Sequence, residues 1–410
     1  MKYDIAIVGG GASGLAAAIS AARCGVRRVV ILEKLPRVGK KLLATGNGRC
    51  NIVNTGARPE SYMGDRAFTR PALSAFPFSE AERFFAELGL ELHTEENGCV
   101  YPLSNQAAAV LDCLRFSAVE LGVTEMCDFE VKSIRPASGA FRLLSESGAT
   151  VDASRVIVAA GGMAQPKLGG GSGFKNLLAP FKHHFTPCLP ALTPLRTRPE
   201  DVAGLKGLKY SGKITLVIDG KPVQTERGEI LFTDSGVSGI AAMQLSLRAA
   251  EALNGGKRAE IVMSPLGKTP EEAFSFLLNR AEALSSRPLE EFLTGVVVKR
   301  IGQMALKRAG CAPLSRSAES LTTKELRALA AELTAWRAPV ISTGGFDASQ
   351  VMLGGVRTED FSAETMESRL VHGLYACGEL LNITGPCGGY NLTWAWASGV
   401  LAGRSAAKSL

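Results

Sequence analysis

What this chain lacks narrows the field first. No apolar run approaches the ~20 residues of a membrane-spanning helix, so no membrane association is expected. No five like charges are consecutive, which leaves out an acidic or basic tail. The nine cysteines are odd in number and contain no C-x-x-C, so a disulfide framework, a zinc ribbon and a dithiol redox centre all fall away. Free thiols fit a reducing cytoplasm, which is the expected location. The four histidines, His93, His183, His184 and His372, are scattered. No metal site is expected from them, and His183-His184 reads as a solvated pair. Aromatics make up only 6%.

What remains is an ordinary globular composition with one excess. Hydrophobic residues are 46% and charged residues 21%, which argues against disorder. Glycine is 45 of 410, about 11% against a usual ~7%. Proline, at 19, is not raised with it, so the chain is not of low complexity. The surplus glycine should sit where backbone approaches backbone or a ligand closely. The net charge of +7 is mild and suits an anionic ligand or a nucleic acid. At ~150 residues per domain the length implies two or three domains.

The first thirty residues read strand, turn, helix, strand. Tyr3 to Val8 is apolar, Gly9-Gly10-Gly11-Ala12-Ser13-Gly14 is the turn, Leu15 to Cys24 is a helix of small residues, and Val29 to Leu32 ends at Glu33. Gly11 to Ala22 superficially resembles a signal-peptide core, but the strand and glycines before it fit a nucleotide turn better. Gly9-x-Gly11-x-x-Gly14 has the context of a dinucleotide fingerprint. Its glycines serve the tight turn, the approach to a pyrophosphate and close helix packing. The helix N-terminus offers N–H donors to phosphates, and Glu33, 19 residues after Gly14, can accept from a ribose.

Further along, Ser79 and Glu82 suggest a capping box, followed by a helix from about Ser104 to Leu121. Phe129 to Arg135 and Ala140 to Leu144 suggest a small antiparallel layer, and Arg155 to Ala160 a buried strand. From Cys188 to about Met263 the chain reads as strands (Leu192 to Arg196, Lys213 to Ile218, Glu229 to Phe232, Glu260 to Met263), which suggests a barrel or sandwich. Helices follow at the Thr269–Glu272 capping box, over Ser286 to Leu306, and after Thr322 and Glu325, with Leu326, Leu329, Ala330 and Leu333 on one face. Val340 to Ser342, Val351 to Val356 and Gly373 to Ala376 return to strand, and Leu392 to Ala407 closes the chain as a helix, with Trp394 and Trp396 in the core.

The fingerprint alone does not separate FAD from NAD. Val156-Ile-Val-Ala-Ala-Gly-Gly162 resembles the strand that returns beneath the cofactor in two-dinucleotide-type flavoproteins. Gly373-Leu-Tyr-Ala-Cys-Gly-Glu379 looks like the late strand ending in an acid near the ribityl chain, and Gly388-Gly-Tyr-Asn391 opens the last helix. No second complete nucleotide fold is visible, so a resident NAD(P) is not expected.

Lys40-Lys41-Leu-Leu-Ala-Thr-Gly46-Asn-Gly48-Arg49-Cys50-Asn51 is the most specific stretch. It is similar to the signature of a bacterial FAD flavoprotein family, the YhiN/BaiN type, which includes a bile-acid-pathway flavoprotein, proteins described as aminoacetone oxidases, and ribosomal RNA dihydrouridine synthases. Val351-Met-Leu-Gly-Gly-Val356 and the tail from Thr365-Met-Glu-Ser368 through Gly388 to Gly399 resemble the same family. The resemblance implies an α/β Rossmann-like FAD-binding domain (1–188 and 359–410), an inserted β-barrel substrate domain (189–267 and 339–358) and a small helical domain (268–338). It implies that Gly9, Gly11, Ala12, Ser13, Gly14, Glu33 and Lys34 hold the ADP part and Val131 the adenine. Lys41, Thr45, Gly46, Gly48, Arg49, Cys50 and Asn51 would line the flavin side, and Ala160, Gly161, Gly162, Gly378, Glu379, Gly389, Asn391 and Leu392 would complete the site. The chain departs from the family at Gly169-Gly-Gly-Ser-Gly-Phe174, where an acid is usual, at Cys99, where Arg is usual, and at Thr393, where Gln is common. The lost acid and the lost Arg remove family features of substrate anchoring rather than of FAD binding, and the 169–173 loop is the expected seat of substrate preference.

The family's activities share hydride delivery from a flavin to a polarised C=C bond, or its reverse. Such a reduction needs a proton donor at the second carbon and donors facing the carbonyl. Arg49, Cys50, Tyr101, Cys387 and Tyr390 are the candidates. Arg49 is the first choice for a polar contact, with a hydrogen-bond hub as the alternative. A thiol beside Arg can have a lowered pKa, though Cys50 also reads as a small buried side chain and Cys387 as a plain loop residue. Tyr101 and Tyr390 also read as packing or stacking groups. The expected activity is reduction of an activated C=C, in ribosomal RNA uridine or a small enone, with NADH or NADPH as transient donor. Lys34, Arg37, Lys40, Lys41 and Arg49 give RNA mild support. The alternatives are a flavin amine oxidase and a non-catalytic flavin-bound protein that binds RNA or a partner. The sequence leaves the oligomeric state open.

Overall fold

The computed structural model describes residues 2–137 and 139–410. They form two compact units. One holds the chain as far as Pro190 and resumes at Gln350; the other is Ala191–Ser349.

The first unit is built on a seven-stranded sheet. Lys2–Val8 lies near its centre, parallel to Val29–Leu32 on one side and to Thr150–Val158 on the other. Val29–Leu32 in turn pairs with Thr124–Met126. Strand Thr150–Val158 changes partner along its length. Its first half runs antiparallel to Ala140–Ser145, while Val156, Ile157 and Val158 run parallel to Leu374–Ala376. The central strands are continuous apolar runs, as a parallel sheet covered on both faces requires.

Helix Ala12–Arg23 is made of small residues because it is packed closely on two sides. An added Cβ at Gly14 would sit 1.9 Å from the Gly9 carbonyl oxygen, so the third fingerprint glycine lets helix and turn meet. On its other side lies the last helix, Tyr390–Lys408, where Gly399 and Gly403 leave room for the Ser13 and Ala17 backbone. This places the end of the chain beside its beginning. Trp394 and Trp396 are buried, and their indoles donate to the carbonyls of Gly378 and Ile52.

The second unit is a closed six-stranded antiparallel barrel with helices. Around it run Leu195–Thr197, Gly236–Ser238, Lys221–Thr233, Lys209–Ile218, Ala259–Ser264 and Trp336–Thr343, which closes on the first. Barrel and helices share one apolar core containing Ile214, Phe232, Leu245, Leu277, Leu329 and Trp336. The expected 189–267/339–358 and 268–338 segments thus lie mostly within one compact unit.

Several expectations need correction. The stretch read wholly as strands contains a 15-residue helix, Ile240–Asn254, whose buried Ala241, Leu245, Ala249 and Ala252 keep helical spacing. The expected helix from Ser286 to Leu306 is two, Leu289–Phe292 and Lys299–Arg308, because Gly295 between them takes a left-handed φ of 82°. Phe78–Ala86 starts after Pro77 with no side-chain cap, so the Ser79–Glu82 box is not formed. The boxes at Thr269 and Thr322 are formed. Val351–Val356, counted with the barrel, pairs instead with Phe185–Ala191. His183 is buried, between the Leu178 carbonyl (3.1 Å) and the Ser368 hydroxyl (2.8 Å), and is not solvated; exposed His184 faces Asp360.

Candidate active site

The fingerprint turn opens onto a groove. Gly9, Gly11, Glu33, Lys34, Lys41, Val131, Ala160, Gly161, Gly162 and Glu379, all expected ligands of the cofactor, line it together. At Gly11 and Gly161 an added Cβ would meet nothing within 4 Å, so these backbones face open space. Gly9 is the opposite. Its φ is 107°, and a Cβ would lie 2.5 Å from the Ala159 carbonyl oxygen. The turn is therefore tight behind and open in front, the shape a pyrophosphate needs.

Glu33 is buried at the end of its strand. Its Oε2 accepts from the Gly10 N–H at 2.8 Å and its Oε1 from the Leu35 N–H at 2.9 Å. Each carboxylate oxygen keeps acceptor capacity for a ribose hydroxyl. Lys41 Nζ donates to Glu379 Oε2 at 2.7 Å, joining residues from opposite ends of the chain. Glu379 Oε1 also accepts from the Met352 N–H at 3.0 Å. A Cβ at Gly162 would lie 3.0 Å from the Glu379 carboxyl carbon, so that glycine makes room for the acid. These residues fit FAD: an acid for the ribose, a bare turn for the phosphates and an ion pair beyond them.

The loop following Lys41 forms a second cluster. Gly46, Asn47, Gly48 and Cys50 all have positive φ. The Thr45 carbonyl accepts from the Cys50 N–H, and the Thr45 hydroxyl donates to the Leu42 carbonyl at 2.6 Å. The Cys50 side chain is fully buried, and desolvation pushes its thiol up to about 12 against a hydrogen bond with Thr45. This fits the reading of Cys50 as a small buried side chain and not the alternative of a thiol lowered by Arg49. Arg49 turns instead to Glu95 (2.7 Å) and Asn105 (2.6 and 3.0 Å). Its guanidinium lies 3.9 Å from the Tyr101 ring centroid. Glu95 holds Arg49 above the usual guanidinium range. Burial raises the Tyr101 phenol, with Arg49 pulling the other way. His93 stacks on the same ring at 6.0 Å.

A family model described as "HI0933-like protein Rossmann domain" matches residues 3–405. The chain belongs to the HI0933-like family. It is 37% identical to the 3-dehydro-bile acid delta(4,6)-reductase of Clostridium scindens, over 98% of this chain and 99% of that protein. It is 29% identical to the ribosomal RNA dihydrouridine synthase of Escherichia coli, over 97% of this chain and 96% of that one. The fold resembles the 3-ketosteroid delta1-dehydrogenase of Sterolibacterium denitrificans, with a TM-score of 0.54 and all of both chains covered at 13% identity. The reading as an FAD-dependent oxidoreductase on a Rossmann fold stands.

Within this HI0933-like chain the remaining candidates are held by contacts of their own. Ala12, Ser13 and Gly14 are in the first turn of the helix, behind the groove, and Gly14 packs on Gly9. Gly378 donates its N–H to Ser398, and its carbonyl accepts from Trp394. Asn391 holds the Gly385–Pro386 loop by three hydrogen bonds of 2.8 to 3.1 Å. Gly389 caps the last helix at φ 92°, where a Cβ would lie 2.6 Å from the Asn51 side chain. Leu392 sits one turn further in, half-buried. Cys387 is half-buried, with Sγ 3.8 Å from Gln350 Oε1, and the Tyr390 carbonyl accepts from Tyr62. Gly169, Gly170, Gly171 and Gly173 line the dinucleotide groove, and Gly171 adjoins the Lys34 ammonium, so the 169–173 loop walls that groove. Glu95 and Asn105 were not foreseen, because nothing local in the sequence ties them to Arg49. Among the described residues no three His, Cys, Asp or Glu side chains are placed to hold a metal, and no helix is long and apolar enough to cross a membrane.

Proposed function

We propose that the chain reduces a C=C bond conjugated to a carbonyl in a small molecule, with NADH or NADPH as external donor. When bound, FAD supplies a reversible two-electron carrier. Gly9, Gly11, Glu33 and the Lys41–Glu379 pair would hold it. The observation that carries the reading is the pairing of Arg49 with Tyr101 at 3.9 Å. Glu95 and Asn105 take Nε and Nη2 of Arg49, while Nη1 has no hydrogen-bond partner among the described residues. Nη1 can therefore hold a carbonyl oxygen as negative charge gathers on it. Tyr101 keeps its proton on Oη at neutral pH and can give it to carbon, with Arg49 beside it to steady the phenolate. Cys50 is too deeply buried to touch a substrate.

The small-molecule reading is preferred over RNA for a second reason. Of the cations that supported RNA, Lys34, Lys40 and Lys41 line the cofactor groove, and Arg49 is bound to Glu95. The barrel unit is the proposed substrate domain, and the 37% relative acts on a steroid-like enone by its name. Anaerobic reduction by NADH or NADPH, followed by mixing with a 3-oxo-4,6-diene steroid, a uridine-bearing ribosomal RNA fragment or aminoacetone with oxygen, tests the reading. Fast reoxidation by the enone is expected. Turnover of the RNA alone, or oxygen-coupled turnover of the amine alone, would overturn it. No flavin reduction by either donor would favour a binding protein.

A further inference from the structure

An open cleft of about 670 Å³ lies in the first unit and shares no residue with the dinucleotide groove. Arg66 lines it from the early part of the chain, and Arg357 and Arg369 from one late segment. All three are exposed. Among the described residues neither Arg66 nor Arg369 has a carboxylate within ion-pair distance. The Arg357 guanidinium meets only the exposed Glu359, at 3.2 Å. Asp65, also in the wall, is committed elsewhere: its Oδ2 accepts from the Thr358 N–H at 3.3 Å and hydroxyl at 2.9 Å. Three arginines against the two carboxylates of Asp65 and Glu359 leave the wall with a net positive charge, which an anion would offset.

The geometry is more than a charged patch. Arg369 Nε is fixed by the Phe361 carbonyl at 3.0 Å, which leaves its outer nitrogens for a forked contact. Phe68 forms an apolar wall, and its ring is braced edge-on against buried Trp394 at 6.4 Å. A single phosphate would fill a small part of such a volume, which lies in the range of small-molecule sites. We propose that this cleft binds a nucleoside diphosphate, with its phosphates on Arg66, Arg357 and Arg369 and its base against Phe68.

The test uses holoprotein with stoichiometric FAD, so that the dinucleotide groove is already filled, and ADP as the probe in titration calorimetry. One saturable site is expected, weakened at least tenfold by Arg66→Glu and by Arg369→Gln and weakened by added salt, with flavin content and spectrum unchanged. Among the described residues the Arg66 side chain has no hydrogen-bond or ion-pair partner and is exposed, so Arg66→Glu should fold, and a thermal melt checks this. Absence of saturable binding, binding unaltered in both variants, or pyrophosphate binding as tightly as ADP would overturn the assignment.

Discussion

At the scale of single residues, the candidate site divides into groups proposed to hold the cofactor and one pair, Arg49 and Tyr101, proposed for the chemistry. Lys41 and Glu379 are partly buried and meet at 2.7 Å. Removing one partner leaves the other charge uncompensated beside the groove. Lys41→Met is expected to weaken FAD retention by roughly tenfold or more, read by flavin release on dilution, and Lys41→Arg should recover part of it. Tyr101→Phe removes the proposed proton donor. It is expected to slow reduction of the enone by about 10²–10⁴-fold while leaving flavin reduction by NAD(P)H intact. Cys50→Ala should leave the rate of chemistry near its starting value, and a loss matching that of Tyr101→Phe would reverse the two assignments. The sequence makes Arg49 and Cys50 conspicuous because they are neighbours, yet their environments are opposite. Cys50 is sealed, whereas Arg49 faces Glu95 and Asn105 on a separate segment. Those partners are 46 and 56 residues away. Pairings of that range come from how the loops fold together, which no local pattern records.

At the scale of elements, legibility follows locality. The strand–turn–helix–strand at the start was readable because each glycine acts on an atom a few residues away, or on the strand beside it. Helix Ile240–Asn254 was missed although Gly239 and Gly255 bracket it, because it sits among strands of similar composition. The break at Gly295 was missed because its left-handed backbone interrupts an otherwise helical pattern. Closure of the first unit rests on two helices from opposite ends of the chain, and Gly399 is where they press together. A Cβ there would lie 2.3 Å from the Ser13 carbonyl oxygen, a backbone atom that cannot swing aside. Gly399→Ala is expected to destabilise the unit by about 1–3 kcal/mol and to weaken FAD binding, since the helix it displaces opens at the fingerprint turn. Chemical denaturation with and without FAD measures both. His183 joins two further segments, touching Leu178 and Ser368 and stacking on Phe361 at 4.9 Å. Burial lowers its pKa below 6.5, so the folded protein binds fewer protons than the unfolded chain in the range below that value. Its contribution is present above 6.5 and is lost as pH falls from there. The denaturation midpoint should drop on mild acidification, and His183→Phe should flatten that slope.

At the scale of the whole molecule, the two compact units predict separable responses to ligand. All groove residues come from the first unit, and the barrel core of Ala191–Ser349 is continuous within the second. A ligand that binds only the folded form stabilises what it touches, by about 2.7 kcal/mol when its free concentration is a hundred times Kd. Scanning calorimetry of the apoprotein should therefore show FAD raising one transition, with a second transition left in place. Near-ultraviolet circular dichroism assigns them, because Trp394 and Trp396 report the first unit and Trp336 the second. Replacing Trp336 with Phe should diminish the FAD-independent signal. A single transition that moves as a whole with FAD would mean instead that the barrel unit unfolds only together with the dinucleotide-binding unit. Bound FAD would then stabilise both units together, and its loss would lower the midpoint of the whole chain.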